Sequence, residues 1–481
     1  MQQAMKDVET GTTDPVLVVD MDGTLVRTDT LHESLLSLAA SDPASLFGVV
    51  RHGIRDKAAF KSALADTGQL DPALLPYNED VLDAVRAARV AGRRTALVSA
   101  SDARQVRKVA EHLDLFDEVH GSDGTNNLAG SAKAAFLIET FGEKGFDYMG
   151  DSSADLPVWQ VAAGGAVVQP KRGVKDKALA ASPDLGVLET DSGRMAAWLR
   201  AVRPHQWSKN ALIFLPLLAA HQLGGLPLAL IAFVAFSLTA SSIYVLNDLL
   251  DLPSDRAHPR KKNRPFAAGR IGAAEGLLGA GVLLCAALFI SLLGVGLAFT
   301  AVLFVYLVAT SAYSLALKRR PLVDVMTLAG LYTLRIYAGA VATGVALSPW
   351  MLGFSIFFFL SLAAVKRQAE LVDMVRTERI SAGRGYQVED LPIVVNLAMS
   401  TGVAAILVLA IYISSDDVQQ LYGRPELLWF VCPLLLYWSV RMVLKAHRGQ
   451  MTDDPIVFAA SDKVSLLVVG LTAAVVILAA A

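Results

Sequence analysis

Two kinds of hydrophobic pattern divide the chain. Up to about residue 200 the apolar runs are short: Val16-Leu-Val-Val19 ends in Asp20-Met-Asp22-Gly-Thr24, and Thr95-Ala-Leu-Val-Ser99 has the same form. Ser131-Ala-Lys133-Ala-Ala-Phe-Leu reads as a helix, and Tyr148-Met-Gly150-Asp151-Ser-Ser-Ala-Asp155 as another strand running into a polar turn. Strands alternating with helices predict a parallel α/β sheet, which binds ligands at the carboxyl ends of its strands. All four stretches place polar residues at such ends. From about Trp207 onward the pattern changes to apolar runs of roughly 20 residues, the length that crosses a ~30 Å hydrocarbon core. Nine are expected, at about 207–223, 226–247, 273–293, 296–316, 322–343, 348–365, 392–413, 426–444 and 463–480.

Charge follows the same division. Residues 1–200 hold 21 basic and 29 acidic side chains, while residues 201–481 hold 22 and 16. The first part has the charge density of a soluble domain, and the second has about half of it, as expected for a chain solvated by lipid. This gives two domains, 1–200 and 201–481. Without a clustered basic surface, nucleic acid is not an expected partner. Cys285 and Cys432 lie inside apolar runs and are expected to be buried free thiols. Residues 1–14 are polar and lack the apolar core of a signal peptide.

The connections between spans alternate in charge. Arg256, Arg260, Lys261, Lys262, Arg264 and Arg270 follow span two, and Lys318, Arg319 and Arg320 follow span four. Lys366, Arg367, Arg376, Arg379 and Arg384 follow span six, and Arg441, Lys445, Arg448 and Lys463 surround the connection after span eight. The opposite set carries Arg424 alone. The positive-inside rule then puts the N-terminal domain and the basic loops on the cytoplasmic side of a bacterial-type inner membrane.

Within the loop after span two, Asn247-Asp248-Leu-Leu-Asp251-Leu-Pro-Ser-Asp255 spaces three carboxylates three and four apart, so a continuing helix would put them on one face. Such a cluster beside a membrane makes chemical sense when Mg²⁺ neutralises it and bridges to substrate phosphates. Arg335, inside a span, is costly enough there to be read as functional, with a phosphate oxygen or Glu370 as its partner.

The pattern NDxxDxxxD at Asn247–Asp255 resembles the first aspartate-rich motif of the UbiA superfamily of intramembrane prenyltransferases. In that family Mg²⁺ on the aspartates binds pyrophosphate, and a DxxxD motif after span six assists. Here the corresponding loop reads Lys366-Arg367-Gln-Ala-Glu370-Leu-Val-Asp373. Further stretches resemble the branch containing decaprenyl-phosphate phosphoribosyltransferases: Arg203-Pro-His-Gln-Trp207-Ser-Lys209-Asn210, Tyr313–Lys318, Asp324 with Tyr332 and Arg335, and Asp453-Asp454-Pro455. The resemblance implies Asp248, Asp251 and Asp255 as the catalytic metal site. Lys209, Asn247, Arg264, Lys318, Tyr332, Arg335, Lys366, Arg367 and Glu370 would surround phosphoribosyl pyrophosphate and polyprenyl phosphate. A donor with a 5-phosphate as well as a pyrophosphate needs extra cations, which Lys366 and Arg367 would supply.

The order DxDGT, Ser, Lys, GDxxxD over residues 15 to about 190 resembles the haloacid dehalogenase superfamily. That implies a Rossmann-like fold with a helical cap at about 27–75. It also implies Asp20 as nucleophile, Asp22 as general acid and base, and Ser99 and Lys133 holding the phosphoryl group. Asp20, Asp22 through its carbonyl, and Asp151 would bind Mg²⁺, with Asp155 in support.

The whole chain is therefore expected to be bifunctional: a polyprenyl-phosphate phosphoribosyltransferase fused to a phosphatase that removes the 5-phosphate. The rivals are an ordinary prenyltransferase on an aromatic acceptor with an unrelated phosphatase, and a noncatalytic lipid-binding scaffold. Membrane lipids are expected partners, and homo-oligomerisation is left open.

Overall fold

The computed structural model describes residues 14–42, 70–123, 127–169, 173–189, 193–377, 385–451 and 454–480. The chain forms two compact units: Met1–Val202 with Tyr244–Ala280, and Arg203–Ile243 with Gly281–Ala481.

The first unit is built on six parallel strands, β1 (Val16–Val19), β2 (Thr95–Asp102), β3 (Glu118–Ser122), β4 (Phe146–Gly150), β5 (Gly164–Val168) and β6 (Gly186–Leu188), in the order β3-β2-β1-β4-β5-β6. Helices α1 (Thr30–Ser41), α2 (Glu79–Val90), α3 (Ala103–Leu113), α4 (Ser131–Phe141), α5 (Leu156–Val161), α6 (Val174–Ala181) and α7 (Arg194–Val202) join or follow them. Because side chains alternate along a strand, β1 feeds two cores at once. Leu17 and Val19 pack with Val81, Val85 and Val106, whereas Val16 and Val18 pack with Leu137, Phe146 and Trp159 on the other face. The direction of sheet growth reverses around β1, between β2 and β4, and there the carboxyl ends open into a crevice. Of the expected cap, α1 and the short 3₁₀ turn Pro72–Leu74 are seen, and 43–69 lies outside the described residues.

Among the described residues the membrane half has eight helices long and apolar enough to cross a bilayer. They correspond to α8 (Leu226–Leu250), α10 (Ala273–Gly294), α11 (Leu297–Leu315), α12 (Val323–Thr343), α13 (Pro349–Thr377), α14 (Leu391–Ile413), α15 (Val431–His447) and α16 (Lys463–Ala480). The six-residue α9 (Leu252–Ala257) follows α8. The first expected span is not a long helix. It is a 3₁₀ run, Pro204–Phe214, followed by the short helix Leu215–Ala219. Trp198 of α7 donates to Glu275 at the start of α10 at 2.9 Å and packs on Phe266, so α7 lies at the end of α8 that leads into the loop. The 25 residues of α8 rise about 37 Å. Residues 203–225 pack along α12, with Asn210 bonded to Arg335 and Gly225 against Thr343. Pro204 and Pro216 stand in the first turns of its two pieces, where a missing N–H costs nothing.

Cys285 corrects the sequence reading, because it is exposed on α10, and Cys432 is half-buried. Leu278, Val282, Phe289 and Leu293 are exposed on the same helix. In a membrane-spanning helix an apolar side chain is solvated by lipid, so apolar sequence context does not imply burial within the protein.

Candidate active sites

In the first unit the chain leaves β1 at Asp20 and turns back at once. Leu25 N donates to Asp20 O at 3.2 Å and Val26 N to Met21 O at 2.8 Å. Gly23 makes this turn possible: it has a φ of +78°, and a Cβ there would stand 2.4 Å from Asp151 Oδ2. The turn brings Asp20 to the end of β4, where Asp20, Asp151 and Asp155 each offer an oxygen within 4.8 Å of the others.

Lys133, in the first turn of α4 and only 2% exposed, answers this cluster. Its Nζ lies 3.0 Å from Asp20 Oδ1 and 3.8 Å from Asp155 Oδ1, and it donates to Tyr148 Oη at 2.9 Å. Tyr148 Oη in turn donates a hydrogen bond to Asp155 Oδ1 at 2.7 Å, while Ser152 N and Oγ donate to Asp155 Oδ2 at 3.0 and 2.9 Å. Burial pushes the Asp20 carboxyl up to about 7 against the pull of Lys133, with Asp155 and Asp22 adding to the rise. Burial alone would lower Lys133, yet Asp20 and Asp155 outweigh it and hold the ammonium above its usual range. Burial leads the first shift and the neighbouring carboxylates the second; three carboxylates gathered around a single ammonium are a donor set that a divalent cation fits.

Asp22 is held from two sides. Oδ1 accepts from Thr30 N at 2.8 Å, at the start of α1, and Oδ2 accepts from Ser101 Oγ. Burial raises its carboxyl, Asp29 adds to that, and the bonds from Ser101 and Thr30 oppose it. Ser99 is buried and accepts from Ser101 N at 3.1 Å. Sequence reasoning passed over Tyr148, Ser101 and Thr30. Ser101 follows Ser99 by two residues on one strand and shares its face, and Tyr148 has a polar tip in a buried strand, so period-two reading could have found both.

The same unit carries the aspartate-rich stretch. Asp251 breaks α8 from α9, but Asp251 N still donates to Asn247 O at 2.9 Å and Asp255 N to Asp251 O at 2.8 Å. The helical bonding thus carries across the break. Asp248 and Asp255 are buried, and Arg264 Nη1 stands between them at 3.0 Å from Asp248 Oδ1 and 2.6 Å from Asp255 Oδ2. Burial raises the Asp255 carboxyl and Arg264 pulls it back. The guanidinium occupies a cation position between these two carboxylates, and among the described residues Asp248, Asp251 and Asp255 are not gathered closely enough to share one ion, as Asp20, Asp151 and Asp155 are. Asp251 takes no part in that bridge, and Asn247 is half-buried.

A buried ion pair joins this stretch to α1, beside the Asp20 site. Arg256, next to Asp255, gives Nη1 and Nη2 to both oxygens of Glu33 on α1 at 2.6 Å each, and its Nε to Ala267 O at 2.9 Å. Glu33 also accepts from Thr28 Oγ1. Nothing in local sequence pattern signals a pair 223 residues apart.

In the second unit the expected cations separate into three groups. Arg335 is 6% exposed and donates to Asn210 Oδ1 at 2.9 Å, Leu331 O at 2.6 Å and Tyr306 Oη at 3.1 Å. The rings of Tyr306 and Tyr332 flank its guanidinium at 5.1 Å each, and Tyr332 stacks on Phe359. Glu370 is not its partner as expected, because Glu370 pairs with Arg367. Arg367 is buried, lies 3.0 Å from Asp324 Oδ2 and covers the Tyr386 ring, whose hydroxyl donates to Asp324 Oδ1 at 2.6 Å. The third group is Lys209 with Asp454: burial raises that carboxyl, but the charges of Lys209 and Lys366 bring it below its usual range. Lys318 sits half-buried on the turn after α11, and Asp453 lies outside the described residues.

Residues 211–461 match the model of the UbiA prenyltransferase family, and residues 17–160 match that of the haloacid dehalogenase-like hydrolases. The protein y4nM of Sinorhizobium fredii is 38% identical over 470 residues, which cover 96% of this chain and 90% of that one. The decaprenyl-phosphate phosphoribosyltransferase of Mycolicibacterium smegmatis is 40% identical over 186 residues, 37% of this chain and 58% of that protein. A solved UbiA homolog from Archaeoglobus fulgidus, bound to GPP and Mg²⁺, is 16% identical and covers 58% of this chain and 99% of its own, with a TM-score of 0.44.

Proposed function

Given that the chain belongs to the UbiA prenyltransferase family and carries a haloacid dehalogenase-like hydrolase domain, we propose that it is a two-step enzyme of lipid-linked sugar synthesis. The membrane part transfers 5-phosphoribose from phosphoribosyl pyrophosphate to a polyprenyl phosphate of decaprenyl type, and the domain at residues 1–200 removes the 5-phosphate. Both steps take place on the cytoplasmic side of an inner membrane.

In the first step an anionic oxygen of the lipid phosphate attacks C1 of the ribose. The C1–O bond breaks, and pyrophosphate leaves with the electron pair. The nucleophile is already charged, so no strong base is needed, and catalysis rests on positioning and on cations facing the leaving group. Asp248, Asp251 and Asp255 would hold Mg²⁺ there, with Asn247 beside them and Arg264 moving from carboxylate to phosphate. Lys209, Lys318, Lys366, Arg367 with Glu370, and Arg335 with Tyr332 would hold the donor and lipid phosphates.

In the second step Asp20 attacks phosphorus, the bond from phosphorus to the 5-oxygen breaks, and Asp22 gives that oxygen its proton. Water then attacks the aspartyl phosphate, Asp22 takes back a proton, and inorganic phosphate leaves. Lys133 and Ser99 hold the phosphoryl oxygens. Asp20, the Asp22 carbonyl and Asp151 would hold Mg²⁺, with Asp155 in support; when bound, the ion offsets repulsion between carboxylate and phosphate.

The observation that carries the two-step reading is the buried Glu33–Arg256 pair, which ties α1 to the aspartate-rich stretch within one unit. The partial match to decaprenyl-phosphate phosphoribosyltransferases supports the choice of donor. The test is incubation of purified protein with Mg²⁺, polyprenyl phosphate and labelled phosphoribosyl pyrophosphate, beside a parallel incubation with labelled prenyl diphosphate and an aromatic acceptor. Labelled lipid in the first alone is the expected result. Product only in the second would make the chain an ordinary prenyltransferase.

A further inference from the structure

The first unit contains a cavity of about 910 Å³ that the catalytic aspartates alone do not explain. Asp22, Gly23 and Asp151 form one part of its lining. Another part comes from far along the chain: Arg270, Ala274, Glu275 and Leu278, the last of them in the second turn of the membrane-spanning helix α10. A site for a small soluble metabolite gains nothing from a wall that continues into a membrane helix. A headgroup tethered to a lipid needs such a wall.

The charges along the cavity narrow the chemistry. Its peripheral acids already have cations: Glu275 pairs with Arg194 at 2.6 Å, Glu189 with Lys175 at 2.9 Å, and Asp29 lies 3.2 Å from His32. Two lining arginines, Arg27 and Arg270, have no ion-pair partner among the described residues, and Arg27 Nε is buried without a hydrogen-bond acceptor. They are neighbours. Gly269, with a φ of +67°, brings its backbone so close that a Cβ there would lie 2.8 Å from Arg27 Cβ, and Arg270 follows directly. Arg27 comes just after the catalytic turn and Arg270 just before α10, so two cations start from neighbouring backbone and line the cavity between the reacting aspartates and the start of a membrane helix. Guanidinium groups of this kind suit phosphate oxygens.

We infer that this cavity is a two-phosphate site. It selects a sugar phosphate monoester that carries a second, anionic phosphate; Arg27 and Arg270 bind that second phosphate while the monoester meets Asp20. Deepening the phosphatase step proposed above, the second phosphate is the phosphodiester of the lipid product, and the first turns of α10 take the carbons nearest to it. A free bisphosphate offers the same two anions without the lipid.

The test uses full-length protein in lipid nanodiscs with Mg²⁺ and three substrates: ribose 5-phosphate, ribose 1,5-bisphosphate, and polyprenyl-phosphoryl ribose 5-phosphate. Wild-type protein should prefer both two-phosphate substrates over ribose 5-phosphate by at least about ten-fold in kcat/KM, the scale of one charge-assisted contact. Arg27→Gln and Arg270→Gln should each cut that preference about ten-fold, mainly through KM, and Arg27→Lys should keep part of it. Equal use of all three substrates, or a preference that survives both glutamine variants, overturns the site. If the lipid is hydrolysed with that surviving preference, the two-step reading stands without it. An arginine-dependent preference for the free bisphosphate, with the lipid untouched, keeps the two-phosphate site and removes the lipid from the two-step reading.

Discussion

The two carboxylate clusters of the first unit differ in the cation that balances them. Lys133, in the first turn of α4, is 2% exposed and fixed by Asp20 and Tyr148. Arg264 bridges Asp248 and Asp255 from the end of a 3₁₀ turn, with 29% of its side chain exposed. A buried, fully bonded ammonium is part of a preorganised site and stays in place through the reaction. A partly exposed guanidinium between two carboxylates can be exchanged for another cation. The contrast suits the two proposed reactions, one at a fixed phosphoryl position and the other dependent on a metal that arrives with a pyrophosphate.

Substitutions can break this contrast. The largest effect belongs to Asp20→Asn, which keeps the shape of the nucleophile but removes its charge. Phosphatase activity should be lost, while the membrane step continues and phosphorylated lipid accumulates, as read by mass spectrometry of extracted lipids. Asp248→Asn should do the reverse, lowering transfer about a hundred-fold or more while hydrolysis of p-nitrophenyl phosphate continues. Equal loss of both activities in a folded Asp248→Asn protein would mean that the clusters are not independent.

Arg264→Gln sharpens the comparison. If the guanidinium competes with Mg²⁺, its removal should lower the Mg²⁺ concentration giving half-maximal transfer, even though kcat falls. The metal dependence of phosphate ester hydrolysis should not move. An unchanged or raised Mg²⁺ requirement for transfer would show that Arg264 assists the metal instead.

Glu33→Gln addresses the tie between the clusters. Removing one partner of a buried pair costs about 3 to 5 kcal/mol, and apolar replacement of both partners recovers much of it. Thermal unfolding of the first unit should therefore shift down in Glu33→Gln and return toward wild type in Glu33→Leu with Arg256→Met. The smallest effect is expected from Tyr148→Phe. Loss of the hydroxyl between Lys133 and Asp155 should cost about 1 to 3 kcal/mol, seen as a drop in phosphatase kcat with transfer unaffected.

How far the sequence could be read depended on the range of each interaction. The strand ending in Asp20 and the turn at Gly23 were legible because four apolar residues and a DxDGT run are local signals. The eight long helices were legible because length and hydropathy are set by the bilayer. Residues 204–219 were expected as a span but form a 3₁₀ run with a short helix, because hydropathy counts apolar residues and does not register the breaks in regular helix. Glu370 was misjudged as a partner of Arg335 for another reason. The arginine's charge pointed toward a carboxylate, whereas the fold surrounds it with an amide, a carbonyl, a phenol and aromatic faces. Glu33 with Arg256, and Arg27 with Arg270, arise only once the loop after α8 packs on the sheet domain, and no spacing in the chain encodes that.

The central claim is that one lipid passes through both reactions in a fixed order. The most direct measurement follows phosphoribosyl pyrophosphate carrying a radiolabelled 5-phosphate in the presence of wild-type protein, polyprenyl phosphate and Mg²⁺. The label should appear first in the lipid fraction and then leave it as inorganic phosphate, in step with the growth of unlabelled polyprenyl phosphoryl ribose. Label that enters the lipid and stays there, or inorganic phosphate released without a labelled lipid before it, would contradict the account.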